Sequence, residues 1–282
     1  MFEGRNADYI APLAAVEAAF AMAYVSNDGT VYSVGGNPRF SVQSITKVFA
    51  LTLALQQCGD SVWDIVSGNA SGKAFNDSSL LDSETVPRNA CINAGALSVT
   101  ALLSRHVSLH DFCTFLSALG EEPALVDTVV AAGEYADCAN NRTLCTKLRN
   151  NGVLLDNSDI EEILWYYCQQ CALSMSCEQV AKCLLPLSNQ GRHGGTQVLG
   201  TAQVAAVNAT LLTAGTYDNA GIVLRSIGVP TKSGVGGGLA AIYPGRGVCC
   251  AWSPRLDSFG NSVAAQAALA QFTRLMGWSI LV

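Results

Sequence analysis

The sequence predicts a mixed α/β (α+β) fold, with an antiparallel sheet from strands at both ends of the chain, flanking helices, and a helical lobe between. β-type runs open the chain at residues 20–35 and return after Gly221, whereas residues 90–213 carry helix-start signatures and no strand alternation. A last helical run follows at residues 262–277. Strands that bracket a helical insert point to one discontinuous sheet domain, residues 1–43 with 214–282, beside a mainly helical domain, residues 44–213. The cleft between them is the natural site.

Each element has its own signal. Residues 20–35 read FAMAYVSNDGTVYSVG, two β-rich runs joined by Asn27-Asp28-Gly29, and Asp-Gly is a strong hairpin marker. From Ser44 to Gln57 the pattern turns helical, with Val48, Leu51 and Leu55 on one stripe and Gly59 just past the end. Ser158 stands three before Glu161 and Ser176 three before Gln179, both capping-box spacings. After Gly221 the runs IVLRSIGV, LAAIY and VCCAW, separated by Gly and Pro turns, read as strands. SVAAQAALAQFTRLMG then reads as a helix that stops at Gly277.

Composition narrows the function classes. Half of the 282 residues are hydrophobic and 13% are charged, against about 25% in an average soluble protein, which excludes a disordered chain. Sixteen basic and twenty-two acidic residues give a net charge of −6, with no basic cluster to hold nucleic acid. Glu3 and Asp8 stand where a signal peptide carries basic residues, and no apolar run reaches the roughly 18–20 residues of a membrane span. A soluble, cytoplasmic protein is expected. Eleven scattered cysteines in so large a chain read as reduced thiols. The group Cys168, Cys171, Cys177 and Cys183 opens with CxxC, but its spacing runs on along a helix and lacks a second zinc knuckle, so buried small apolar residues are expected. His106, His110 and His193 fall in no metal-ligand spacing and read as surface or capping residues.

Two motifs carry chemistry. In Gln43-Ser44-Ile45-Thr46-Lys47 the serine and lysine are three apart at a helix start, so hydroxyl and amine share one face. A serine needs a neighbouring base to become a nucleophile, and a lysine becomes one once burial or another cation lowers its pKa. The helix N-terminus adds N–H donors and a dipole that favour a developing oxyanion. The second motif, Lys232-Ser233-Gly234-Val235 followed by Gly236-Gly237-Gly238, puts a lysine and a side-chain-poor run on a strand, where glycines allow close approach to the backbone. S-x-x-K early and K-[ST]-G late is the signature of the serine acyltransferase fold of β-lactamases and penicillin-binding proteins.

Further motifs narrow the resemblance. ADYIAPLA, with Tyr9, is similar to a YIPxLA opening, with Ala11 inserted; SGKAFN resembles SGxxFN, and NACINAGAL resembles NPxxNAGA with Ala90 for proline. Glu134 and Asn141 keep the separation of S-E-x-x-x-x-R-N, although Gly133 replaces the serine and Asn140 the arginine, with Arg142 one place later. Tyr167 stands four before Cys171, Tyr217-Asp218 resembles a YD turn, and SPRLDSFGNSV is similar to SPxLDxxGNS. With FSVQSITKVF as the nucleophile segment, these matches run from Gly4 almost to the C-terminus. On them the chain resembles the serine-dependent glutaminases, amidohydrolases that convert L-glutamine to L-glutamate and ammonia.

The resemblance implies a β-lactamase/transpeptidase-like fold and a complete site. Ser44 would attack the carboxamide carbon while Lys47 takes its proton, with the oxyanion on the backbone N–H groups of Ser44 and Val235. Tyr167 and Tyr217 would relay protons. Glu134 would meet the substrate ammonium; Asn93, Asn141 and Tyr217 its carboxylate; Gln43, Tyr167 and Val235 complete the substrate's surroundings. Lys232 and Tyr9 would be supporting residues, Lys232 by orienting the pocket or by lowering Lys47 through like-charge repulsion. The resemblance implies water as second substrate and a homo-oligomer (dimer or tetramer); no cofactor or metal is expected, since the chain carries no Rossmann or P-loop fingerprint, and no ankyrin-type appendage, since it ends soon after its last helix. Two other readings remain open: another serine acyl-transfer enzyme of the same superfamily, and a non-catalytic ligand- or metal-binding homologue.

Overall fold

The computed structural model describes residues 4–282; Glu3, one of the two residues weighed against a signal peptide, lies outside them. After the one-turn helix α1 (Ala11–Ala14) comes the expected hairpin, β1 (Ala21–Ser26) and β2 (Val31–Val34). Asp28 Oδ1 accepts from the Thr30 N–H at 3.0 Å, and Gly29 takes a φ of 88°, which explains the glycine. β3 (Phe40–Ser41) passes through a 3₁₀ turn, Gln43–Ile45, into α2 (Thr46–Cys58), which stops at Gly59 with φ 62°. Thr46 to Leu55 are all buried, so α2 is an interior helix.

The middle of the chain is helical as expected: α3 (Asn93–Leu103), α4 (Leu109–Gly120), β4 (Leu125–Val126), α5 (Thr128–Ala136), α6 (Ala139–Asn150), α7 (Ile160–Cys171), β5 (Leu173–Met175), α8 (Cys177–Ser188), β6 (Arg192–His193), β7 (Thr196–Gln197) and α9 (Thr201–Ala214). Ser176 caps α8, its hydroxyl accepting from the Gln179 N–H at 3.1 Å. Ser158 does not cap α7. Asp159 does, its carboxylate accepting from the N–H groups of Glu161 and Glu162 at 2.8 and 3.2 Å, because an anion also interacts favourably with the helix dipole. β4 and β5, which join β3 in a three-stranded sheet, and the β6–β7 pair escape sequence reading because two or three residues show no period.

One expectation is overturned. IVLRSIGV is not a strand but belongs to α10 (Ala220–Ile227), ended by Gly228 at φ 76°. Its buried residues, Ala220, Val223 and Ile227, recur at helical spacing, while the β-branched Ile222 faces outward and imitates a strand. The remaining elements are β8 (Thr231–Ser233), β9 (Gly238–Tyr243), β10 (Gly247–Trp252) and α11 (Val263–Met276), closed by Gly277 at φ 65°.

The main sheet is antiparallel in the order β2-β1-β10-β9-β8, with Cys250 of β10 opposite Ala23 on one side and Ala240 on the other. Leu239, Ala241, Tyr243, Cys249 and Ala251 pack against Val223 and Ile227 of α10 and Ala265 and Leu269 of α11. Ala240, Ile242, Val248 and Cys250 join the opposite core, which includes Leu51 of α2 and Leu184 of α8. Because both faces are covered, β9 and β10 read as unbroken apolar runs. A further core lies among α3, α6 and α7, around Leu97, Leu144, Leu148 and Leu164. Cys168 and Cys171 belong to it and Cys177 and Cys183 to the core beneath the sheet, so all four are buried apolar residues. Among the described residues no group of three or more His, Cys, Asp and Glu side chains is placed to hold a metal ion, and no helix is long and apolar enough to cross a membrane.

Candidate active site

The 3₁₀ turn ahead of α2 carries Ser44, and the backbone around it is unusual. Gln43 takes a left-handed φ of 50°, its Nε2 donating to Ser41 Oγ at 3.0 Å and to Glu134 Oε1 at 2.9 Å. The turn between β8 and β9 lies directly against this segment. A Cβ on Gly236 would stand 1.9 Å from the Ser41 carbonyl oxygen, and one on Gly234 2.3 Å from that of Val42 and 3.3 Å from the Ser44 nitrogen. Glycine alone allows this approach, which brings Val235 into the cavity that Ser44 lines. Gly236→Ala is therefore expected to lower stability by about 1–3 kcal/mol and to depress turnover by pushing the turn off the serine. Denaturant unfolding and initial rates check it; full stability and rate would mean the close approach is dispensable.

The cavity measures about 290 Å³, at the small end for ligand sites, and is lined by Tyr9, Gln43, Ser44, Asn93, Glu134, Asn141, Tyr167 and Val235. Sequence reading named all of these. It assigned no role to Phe75, Asn76, Asp137, Asn140 and Cys171, which complete the wall. Phe75 and Asn76 stand within the SGKAFN motif and Asp137 one turn beyond Glu134 on α5, signals that were present but carried no chemistry of their own. Roomier hollows beside Arg88 and Phe20 gather no buried ionisable groups.

Two lysines stand behind Ser44. Lys47, 3% exposed, donates to the Cys91 carbonyl at 2.9 Å and to Asn93 Oδ1 at 2.7 Å. Burial lowers it to about 8, against the opposing influence of the Cys171 and Cys91 thiols. Lys232, 0% exposed, donates to Tyr217 Oη at 3.3 Å and to the Ser233 carbonyl. Burial, and next among the lowering influences the Lys47 cation, takes it to about 7. Burial is the larger influence on both lysines, and their repulsion is mutual, so each cation disfavours the charge of the other.

Neither hydrogen bond of Lys47 goes to Ser44, although both are in one turn. Tyr217, whose φ is 59°, stands near the serine: burial pushes its phenol up, against the smaller opposing influence of the nearby Ser44 and Ser233 hydroxyls. Asn93 is the first residue of α3 and does not cap it: Nδ2 donates to Asn141 Oδ1 at 3.0 Å, and Oδ1 receives Tyr167 Oη at 3.4 Å besides Lys47. Glu134, read from sequence beside altered flanks, faces the cavity, where Tyr9 Oη donates to it at 2.7 Å. Burial raises its carboxyl pKa, while the Tyr9 and Gln43 bonds oppose.

The sheet with its helical lobe, and the lysine-backed serine between them, define a β-lactamase-like hydrolase. A family model described as Glutaminase matches residues 4–281, and the chain belongs to that family. It is 43% identical to the curated glutaminase of Caulobacter vibrioides over 99% of this chain and 93% of that protein. Among solved structures it is similar to a probable glutaminase, YbaS, with a TM-score of 0.92 and 31% identity over 99% of this chain and 92% of that one. It is also similar to Mglu in its glutamate form, with a TM-score of 0.92 and 32% identity over 100% of this chain and 66% of that one.

Proposed function

We propose that the chain hydrolyses L-glutamine to L-glutamate and ammonia through a glutamyl ester on Ser44. The observation that carries this reading is the arrangement around one amino-acid-sized cavity: Ser44 in its wall, two buried lysines of lowered pKa behind the serine, and the Glu134 carboxylate held in the wall by Tyr9 and Gln43. Ser44 Oγ attacks the carboxamide carbon and its proton passes to Lys47, which is a free amine in an appreciable fraction of molecules near pH 8. The oxyanion lies on the N–H groups of Ser44 and Val235. As the C–N bond breaks, Tyr217 gives a proton to the departing nitrogen; its contacts with Ser44 and Lys232 favour it over Tyr167, whose hydroxyl is turned to Asn93. Water then cleaves the ester, with the proton returning to Ser44 through the same groups.

Glu134 pairs with the substrate ammonium, Asn93 and Asn141 hold the carboxylate, and Tyr9 and Gln43 keep Glu134 in place. The cavity lies between the Ser44 and Val235 turns, at the edge of the sheet core that α2 and α8 join, and the lobe of α3, α5, α6 and α7. All eleven cysteines are free, which supports a reducing, cytoplasmic setting. Exposed Leu275, Met276, Ile280 and Leu281 support burial against another copy in a dimer or tetramer.

The test is ammonia release from L-glutamine, with D-glutamine and L-asparagine alongside, by the wild-type chain and by Glu134→Gln. The variant is expected to raise KM about 10- to 100-fold, the range of a lost charge-assisted hydrogen bond, with a smaller effect on kcat. A folded wild-type chain that releases no ammonia from L-glutamine would end this reading; an unchanged KM would remove Glu134 from it.

A further inference from the structure

Phe75 has no group that can give or take a proton, yet the chain holds its ring against Lys47 with care. Residues 76–84 are fastened to α6 and its C-cap: Asn140 Nδ2 donates to the Asn76 carbonyl at 2.7 Å, Lys147 Nζ to that of Ser78 at 3.1 Å, and Asn151 Nδ2 to those of Leu81 and Glu84 at 3.0 and 3.1 Å. The carbonyl of Phe75 itself accepts from the Asn93 N–H at 2.8 Å. The ring is thereby brought to the asparagine that also receives Lys47.

The Phe75 centroid lies 6.0 Å from Lys47 Nζ and 4.7 Å from the Tyr217 centroid, and the Tyr217 centroid lies 5.9 Å from the same nitrogen. Tyr217 is buried; Phe75 is half-buried and lines the cavity, so it is the ring on the solvent side. We propose that Phe75 is a positioning residue whose ring is the cover that keeps water from Lys47, and so sets the pH range over which Ser44 can lose its proton.

Two effects of the ring oppose each other. At 6.0 Å it sits at the outer limit of a cation–π contact, so its attraction for the ammonium is small beside the hydration it denies. The ionisable groups around Lys47 do not replace that hydration. They are Cys91 before α3, Cys171 and Tyr167 on α7, Tyr217, and Lys232 on β8, with Glu134 on α5 near enough to act on Cys171 and Tyr167. The only one that is cationic near neutral pH is Lys232, which disfavours the charged form further.

The inference rests on Lys47 being the base of the proposed reaction. The experiment follows kcat and kcat/KM for L-glutamine against pH in the wild type, Phe75→Ala, Phe75→Leu and Lys47→Ala. Because the free amine is the active form, kcat/KM rises with pH through the Lys47 pKa. In Phe75→Ala that rising limb is expected to move up by about one pH unit, a roughly tenfold loss below the limb that disappears above it. Phe75→Leu, still apolar and of similar bulk, should keep the wild-type limb; Phe75→Val should fall between and serves if the alanine variant does not fold. A uniform loss with an unmoved limb, while Lys47→Ala is inactive, overturns the cover and leaves the base in place. Turnover retained by Lys47→Ala overturns the base. In that case NMR titration of ¹³Cε-labelled lysine reads Lys47 without turnover: an upward shift in Phe75→Ala supports the cover, and no shift overturns it.

Discussion

Ser44→Ala is expected to cut ammonia release from L-glutamine by about 10⁴-fold or more, the scale seen when an activated serine is removed from a working acyl-transfer site. The substitution removes one oxygen from a residue already 8% exposed, and the turn that carries it is held by backbone, with the Val42 N–H donating to the Leu173 carbonyl at 2.8 Å. Unfolding midpoints should therefore stay close to wild type. The oxyanion donors and the Glu134 end of the cavity survive, so L-glutamine should still bind in a calorimeter. Substantial turnover by the folded variant would mean that water, or another side chain, attacks the amide directly.

Lys232→Met is expected to do two things at once: lower turnover by about 10²-fold, by removing the amine that donates to the Tyr217 phenol, and raise stability at low pH. Lys232 is fully buried and its pKa falls from 10.5 to about 7 on folding. Below about pH 7 the lysine is charged in both states, and the folded protein bears the full cost of the buried ammonium, on the order of 5 kcal/mol. Between about 7 and 10.4 the unfolded chain binds the extra proton, so wild-type stability climbs with pH; above 10.4 the penalty is gone. The gain in Lys232→Met should be largest at pH 6, reduced by the hydrogen bonds that methionine cannot make, and should fade by pH 10. Urea unfolding at the two pH values measures it. A variant less stable at pH 6, or a gain independent of pH, would show that the folded protein compensates this charge fully.

Much of the fold was legible because its signals are local. The Asp28-Gly29 turn, the Ser176 cap and the stops at Gly59 and Gly277 depend on backbone geometry that few residues can adopt, and each stands where the sequence put it. IVLRSIGV misled because β-branched residues suit both a strand and one apolar helix stripe, and only the layer beneath decides between them. β3, β4 and β5 were illegible for another reason: their pairing joins residues far apart in the chain and leaves no local period. For the site, chemistry marked Ser44, Lys47 and Lys232 and the family resemblance marked Glu134 and the tyrosines, whereas Phe75 and Asp137 owe their place in the wall to tertiary packing.

The position of β10 sets a condition on how the molecule is made. The first hairpin, complete by Val34, must wait for residues 247–252 before β1 gains its second neighbour, and Gly236 must arrive before the Ser44 turn has its support. At about 5–20 residues per second on a ribosome, that interval lasts roughly 10–40 s, with a β1 edge of alternating apolar residues open to wrong partners. A nascent chain therefore has no catalytic centre until translation is nearly finished, and the yield of active protein depends on whatever shields that edge in the meantime.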